Sequence, residues 1–186
     1  MITIPHLFLI RELIRKEWVV RYRGSALGLL WTWIYPLCLL GVYTLIFQWW
    51  MPVRWTNSAN TTPVHVIFYL FPALLLFQWF SDCLARAPHL ILEQAHLVKK
   101  IRFPTSILAW VTVGAGGLQL LVSLTLTLMI AWLMQIPLSI TQCAIPMILV
   151  GMLPMLLALT WWLSATAVVI KDITHLITPL LNLSLF

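Results

Sequence analysis

The sequence predicts an all-α, polytopic membrane protein, and three observations support this prediction. Of its 186 residues, 62% are hydrophobic and only 9% are charged, whereas a soluble domain carries about 25% charged residues. Residues 24–53 carry no charge, and about 20 apolar residues are enough for a helix to cross the hydrocarbon core. Residues 103–170 are also uncharged. Lipid must therefore be the solvent, and we look for function in transport, membrane enzymology or assembly.

Residues 5–21 are predicted to form an amphipathic helix at the membrane–water interface. Apolar side chains recur there at helical spacing, and charged side chains cover the other face. The apolar stripe consists of Leu7, Ile10, Ile14 and Trp18, and the charged face of Arg11, Glu12, Arg15 and Lys16. A short basic helix with a tryptophan at its apolar edge suits the interface. The alternative is a helix outside the membrane that packs on another protein.

Four transmembrane helices are predicted, followed by an incomplete fifth. The predicted spans are 26–50, 64–84, 105–134 and 144–170, and the start of the fifth helix is 173–186. Residues 86–103 form the inner loop between the second and third spans. The last segment covers only about 21 Å of helix against a core of about 30 Å. We therefore expect a C-terminally truncated fragment of a longer chain, with a re-entrant segment as the alternative.

The distribution of basic residues predicts the orientation. Ten of the eleven Lys and Arg residues lie in the N-terminal segment, the 86–103 loop and the turn at Lys171, and the other is Arg54. Cytoplasmic loops carry the excess of Lys and Arg. The N-terminus and the 86–103 loop are thus predicted to be cytoplasmic. The net charge of +6 is interpreted as orienting charge and not as a nucleic-acid-binding surface.

No convincing catalytic or metal-binding constellation is found in the sequence. The five acidic residues fall at predicted cytoplasmic edges, and the three cysteines are scattered without zinc-site spacing. Because there is no Walker-type Gly-rich loop, the chain is expected to bind no cofactor itself. Ion-coupled transporters usually keep ionisable side chains at membrane depth, and these spans have none. The energy for transport is therefore expected from a partner on the cytoplasmic side.

The 86–103 loop is the predicted contact for that partner. A short helical segment within it carries both acidic and basic side chains. Because this segment lies between two spans, a movement of the segment can be passed on to the membrane-spanning helices. The candidate coupling residues are Glu93, Gln94, Lys99 and Lys100. An ordinary solvated loop with orienting lysines explains the composition equally well.

Aromatic side chains are the second candidate feature, since aromatic faces stack on the C–H faces of sugars and other amphipathic ligands. The candidates, in or beside the first two spans, are Trp31, Tyr35, Tyr43, Trp79 and Phe80. Interfacial belts and lipid-facing packing are the competing interpretation, and they explain any single ring better.

Several motifs keep the order and spacing of a known family. They include Arg21-Tyr22-Arg23-Gly24-Ser25, Leu74-Leu75-Leu76-Phe77-Gln78-Trp79-Phe80-Ser81, Leu97-Val98-Lys99-Lys100 and Phe103-Pro104. The chain thereby resembles type-2 ATP-binding-cassette exporter permeases, in the branch that exports O-antigen, capsular polysaccharide and teichoic acid. It departs from the family pattern at Pro72-Ala73, where Gly is common, and at Gln94, where Asn is usual. Members also continue through a complete fifth and a sixth span.

The resemblance implies a permease subunit in the inner membrane of a bacterium that exports a polysaccharide or lipid-linked glycan. It implies a permease homodimer and a separate ATPase subunit that uses the ATP. The motif of residues 21–25 would join the interface helix to the first span. Glu93 and its neighbours would contact the ATPase, and the aromatic side chains would line or gate a glycan channel. The alternatives are a membrane enzyme acting on lipid-linked sugars, a non-functional truncated remnant, or a permease for another cargo.

Overall fold

The fold is helical throughout the part of the chain that the computed structural model describes, namely residues 4–22, 27–49, 63–90, 106–136, 144–170 and 172–184. The helices are α1 (Ile4–Tyr22), α2 (Trp31–Trp49), α3 (Pro63–Arg86), α4 (Ser106–Leu133), α5 (Ile145–Val169) and α6 (Ile173–Ser184), and the 3-10 turn Gly28–Leu30 leads into α2. These described residues contain no β-strand. The all-α prediction is confirmed for them.

Three helices are long and apolar enough to cross a membrane. They are Ile67–Arg86, Ile107–Leu133 and Ile145–Val169. The apolar part of α2, Trp31–Ile46, is shorter. These helices support a multi-pass helical membrane protein, while the number of four spanning helices stays a prediction.

The chain divides into two compact units. One consists of Met1–Arg21, Gln78–Leu118 and Ile148–Phe186, and the other of Tyr22–Phe77 and Gln119–Met147. Both α3 and α4 therefore contribute residues to each unit. The candidate functional residues are distributed over the two.

In the first unit, α1 packs on the N-terminal part of α4. Ile10 of α1 is buried with Ile107 and Val111 of α4. Ile14 lies against Gly114, where an added Cβ would come within 2.5 Å of the Ile14 Cδ1 atom. The charged residues predicted for the opposite face are exposed: Arg11, Glu12, Arg15 and Lys16. Ile10 and Ile14 of the apolar stripe thus contact this chain's own α4.

A second close helix contact in this unit joins α3 to α4. The Trp79 side chain is 4% exposed, and its Nε1–H donates a hydrogen bond to the Val113 carbonyl at 3.2 Å. Gly116 lies beside the indole, and an added Cβ there would be 2.9 Å from the Trp79 Cδ1 atom. Small residues allow helices to approach closely in membranes, and Gly116 provides the space that this indole occupies.

In the second unit, α4 ends in a Schellman motif centred on Gln135. The Gln135 N–H donates to the Trp132 carbonyl at 3.1 Å, and the Ile136 N–H donates to the Ala131 carbonyl at 3.0 Å. Gln135 adopts a left-handed φ of 55°, at a position of the motif that is usually occupied by glycine. Ile136 and Ala131 are both buried, which supplies the apolar contact of the motif. The helix therefore ends where the sequence predicts an external turn.

Candidate functional site

The four candidate coupling residues, Glu93, Gln94, Lys99 and Lys100, lie outside the described residues, which break off at Leu90 and resume at Ser106. Their role as contacts for an ATPase stays a prediction. The structure does describe the two helix ends that flank this segment. These are the C-terminal end of α3 and the N-terminal end of α4.

The C-terminal end of α3 is joined to α1 by an ion pair. The Arg86 Nη1 atom is 3.8 Å from the Glu17 Oε1 atom, and the two side chains are 44% and 30% exposed. The i, i+4 spacing of Asp82 and Arg86 predicts an ion pair within α3 instead, and this expectation is wrong. Asp82 accepts a hydrogen bond at 3.0 Å from the Gln78 Nε2 atom, one turn earlier. The ion pair therefore links the C-terminal end of α3 to α1.

The motif of residues 21–25 is described only in part. Arg21 and Tyr22 form the C-terminal end of α1, while Arg23, Gly24 and Ser25 lie outside the described residues. Immediately after them, Gly28 adopts a φ of 50°, which glycine tolerates without steric cost. The motif therefore lies between the end of α1 and a tight turn, and its role stays a prediction.

Three of the five candidate aromatic residues are on α2, in the second unit. Trp31 and Tyr35 are four residues apart on one face of the helix and are 41% and 46% exposed. Tyr43 is half-buried and contacts Phe71 of α3 edge to face, with ring centroids 6.3 Å apart. Such edge-to-face pairs are favourable beyond the area that they bury. Tyr43 therefore takes part in the contact between α2 and α3.

The other two candidate aromatic residues are on α3, in the first unit. Phe80 is half-buried, and the indole of Trp79 packs between α3 and α4 with its N–H bonded to the Val113 carbonyl. Trp79 is thus used for helix packing within this chain. A role for any of the five rings in a glycan channel stays a prediction.

Several polar side chains of α4 donate hydrogen bonds to main-chain carbonyls, whereas the buried Thr112 hydroxyl has no partner among the described residues. Ser123 Oγ donates to the Gln119 carbonyl at 3.0 Å, and Thr127 Oγ1 donates to the Ser123 carbonyl at 2.7 Å. The Gln119 Nε2 atom donates across to the Thr32 carbonyl of α2 at 3.2 Å. Hydroxyls bonded to their own helix are tolerated in lipid without a charged partner. This side-chain link between α2 and α4 was not predicted from the sequence, although an amide in an apolar span signals that it needs a partner.

The described residues also contain no group of three His, Cys, Asp or Glu side chains that could hold a metal ion. The candidate site in the described residues thus consists of helix contacts, an ion pair at the C-terminal end of α3 and exposed aromatic rings.

The comparisons with known proteins identify the family. The family described as ABC-2 type transporter matches residues 9–186. This chain belongs to the ABC-2 type transporter family. The resemblance to type-2 ATP-binding-cassette exporter permeases is thereby confirmed.

Individual relatives of this ABC-2 type transporter chain carry a more specific name. The chain is 31% identical over 178 residues to the O-antigen export system permease protein RfbA of Myxococcus xanthus, covering 96% of this chain and 65% of the relative. Two proteins of the same name from Klebsiella pneumoniae are 29% and 30% identical, over 73% and 63% of this chain and 50% and 42% of the relatives. The chain therefore spans less than two thirds of the length of these relatives.

Proposed function

We propose that this chain is the membrane-spanning permease subunit of an ATP-binding-cassette exporter for O-antigen or a similar polysaccharide, moved free or as a lipid-linked glycan. The observation that carries the proposal is the similarity to O-antigen export permeases over 96% of this chain. Three long apolar helices suit a membrane subunit of this kind. The chain is a transporter subunit and not an enzyme.

The energy source in this proposal is a separate ATPase subunit, and this chain binds no ATP or other cofactor. Residues 103–170 carry no charged side chain, and the Ser123 and Thr127 hydroxyls bond to main-chain carbonyls of their own helix. Proton or ion coupling needs ionisable groups at membrane depth, so these helices are better suited to movement imposed from outside. A homodimer of the permease in the bacterial inner membrane, with cytoplasmic N-termini, completes the proposed arrangement.

The proposed point of coupling is the segment that joins α3 to α4, with Glu93, Gln94, Lys99 and Lys100 against the ATPase. Support comes from its flanking helices. Arg86 at the end of α3 pairs with Glu17 of α1, and the start of α4 packs on α1 through Ile107. A displacement of the segment would therefore reach α1, α3 and α4 together.

The cargo is tested by deleting the gene for this chain and blotting cell-surface and intracellular polysaccharide. The expected result is loss of surface polysaccharide with accumulation of the lipid-linked form inside, and restoration by the natural gene. Unchanged surface polysaccharide would refute the proposed cargo. Turnover of a lipid-linked sugar by the purified protein without any ATPase would instead support the enzyme alternative.

The coupling role is tested separately with the combined substitutions Glu93→Ala, Lys99→Ala and Lys100→Ala in the natural transporter. We expect export to fall while the permease still accumulates in the membrane. The matched control is the pair Glu12→Ala and Lys16→Ala, which removes exposed charges of both signs from α1. Export that survives the triple substitution would contradict the coupling role without affecting the proposed cargo.

A further inference from the structure

A groove of about 610 Å³ lies between α1 and the N-terminal half of α4, within the first compact unit. Its charged rim comes from α1. Arg11 and Arg15 are one helical turn apart and both are exposed, and Glu12 is the single carboxylate among the described residues that line the groove. The rim therefore carries a net positive charge. Within the described part of the chain, neither guanidinium forms an ion pair with a carboxylate.

One residue that lines the groove carries a hydrogen-bond donor without a partner among the described residues. The Nε1 atom of Trp18, which lines the groove, is buried without a hydrogen bond. Buried N–H groups are nearly always paired, and an indole nitrogen can only donate. An acceptor from outside the chain, and an anionic oxygen above all, fits this donor and the two neighbouring guanidinium groups.

The floor of the groove is apolar and extends along α4. Ile14, Gly114 and Leu118 form it, and Leu118 is 38% exposed. At 1.5 Å per residue, Gly114 lies about 12 Å and Leu118 about 18 Å from the start of α4 at Ser106. Because α4 contains the apolar span Ile107–Leu133, the groove leads from a charged rim to hydrocarbon depth.

We propose that this groove binds one anionic phospholipid of the bilayer. The phosphate accepts hydrogen bonds from Arg11, Arg15 and the Trp18 N–H, and an acyl chain lies along Ile14 and Leu118. The positive charge, the unpartnered donor and the apolar floor correspond to the phosphate and the acyl chain of such a lipid. The lipid would fasten α1 to α4 in addition to the contact of Ile14 with Gly114. The proposal depends on the membrane location of α4 and not on the identity of the cargo.

The test counts lipids retained by the purified, detergent-solubilised protein in native mass spectrometry, after exchange against phosphatidylglycerol or phosphatidylcholine. We expect the protein to retain phosphatidylglycerol in preference to phosphatidylcholine. Each of Arg11→Gln and Arg15→Gln should lower phosphatidylglycerol binding about fivefold, the usual effect of one basic residue at an anionic membrane surface. Lys16→Gln is the matched control, because Lys16 is exposed on the same helix but does not line the groove.

Several results would overturn the proposal. Equal losses for Arg11→Gln, Arg15→Gln and Lys16→Gln would mean diffuse attraction to the whole basic helix. Displacement of the lipid by millimolar inorganic phosphate would mean a site for the anion alone, and preferential displacement by a polyprenyl phosphate would assign the groove to a transport substrate. Trp18→Phe keeps an aromatic ring and removes the donor, so undiminished binding by this variant would refute the assigned hydrogen bond. Circular dichroism of each variant checks that the helices are intact.

Discussion

Because Gly116 contacts Trp79, we predict that alanine substitutions at two adjacent glycines of α4 have different effects on stability. An alanine Cβ at position 116 would lie 2.9 Å from the Trp79 Cδ1 atom, 3.0 Å from its Nε1 atom and 3.4 Å from the Cys83 Sγ atom. Real Cβ contacts are longer, so the indole must move. It is 4% exposed, and movement endangers its hydrogen bond to the Val113 carbonyl. Gly116→Ala should therefore destabilise the α3–α4 contact.

The magnitude follows from three contributions. Overpacking a well-packed contact costs about 1–3 kcal/mol, and the loss of one interhelical hydrogen bond in a membrane costs about 0.6 kcal/mol. Replacing a helix-interior glycine by alanine returns about 0.5–1 kcal/mol. The net change in the free energy of unfolding for Gly116→Ala is thus a loss of about 1–3 kcal/mol. At Gly117 the nearest indole atom would be 3.6 Å from the added Cβ, which is ordinary contact, so Gly117→Ala should be neutral or slightly stabilising.

The assay is unfolding of the purified protein in mixed micelles with increasing sodium dodecyl sulfate, followed by circular dichroism. Gly117→Ala is the matched control, since it makes the same chemical change one residue away in the same helix. Equal stability of the two variants would refute the reasoning. A Trp79→Leu background adds a second check, because the smaller and more flexible leucine side chain can move away from the added Cβ at position 116. The penalty of Gly116→Ala should shrink in that background.

Three further substitutions test other contacts. Gly114→Ala should weaken the packing of α1 on α4, because the new Cβ would lie 2.5 Å from the Ile14 Cδ1 atom. Faster amide hydrogen exchange in residues 4–22, reversed by adding Ile14→Val, would confirm this prediction. Unchanged exchange would contradict it. Arg86→Gln should lower the free energy of unfolding by at most about 1 kcal/mol, since the ion pair of Arg86 with Glu17 is partly exposed. This loss of stability should vanish at high salt. A larger loss that does not depend on salt would argue against an ion pair. Gln135→Gly should stabilise the protein by about 1 kcal/mol, because residues with a Cβ atom are strained at the left-handed φ of 55°. Destabilisation in the same micelle titration would count against the Schellman motif.

The helical fold class was predictable from the sequence because it depends on composition and length. Residues 103–170 carry no charge and are far too long for one span, so they must turn back. Polar residues from Gln135 onward mark that turn, and α4 indeed ends at Leu133. The conformation of Gln135 itself was not predictable, because glycine is the residue that normally signals a left-handed helix end.

The partners of the helices were much harder to predict than the helices themselves. The spacing of Ile10 and Ile14 predicts an apolar face on α1, because polar residues mark the other face. In α4, by contrast, nearly every residue is apolar, and no periodicity distinguishes Ile107 and Val111 from their neighbours. In a uniformly apolar span the sequence does not show which face packs on another helix and which faces lipid, since both surroundings are apolar.

The same physics explains why the candidate site residues were only partly assignable. Trp79 and Trp31 are the same residue type in predicted spans, so the sequence treats both as possible channel residues. The structure separates them by their surroundings, since the Trp79 indole fills the space beside Gly116 while Trp31 is 41% exposed on α2. Gly116 and the Val113 carbonyl both lie in α4, whereas Trp79 lies in α3, so the sequence of α3 alone does not reveal how this indole packs. Trp31 is the more exposed of these two indoles, and it is therefore the better candidate for the proposed contact with a transported glycan.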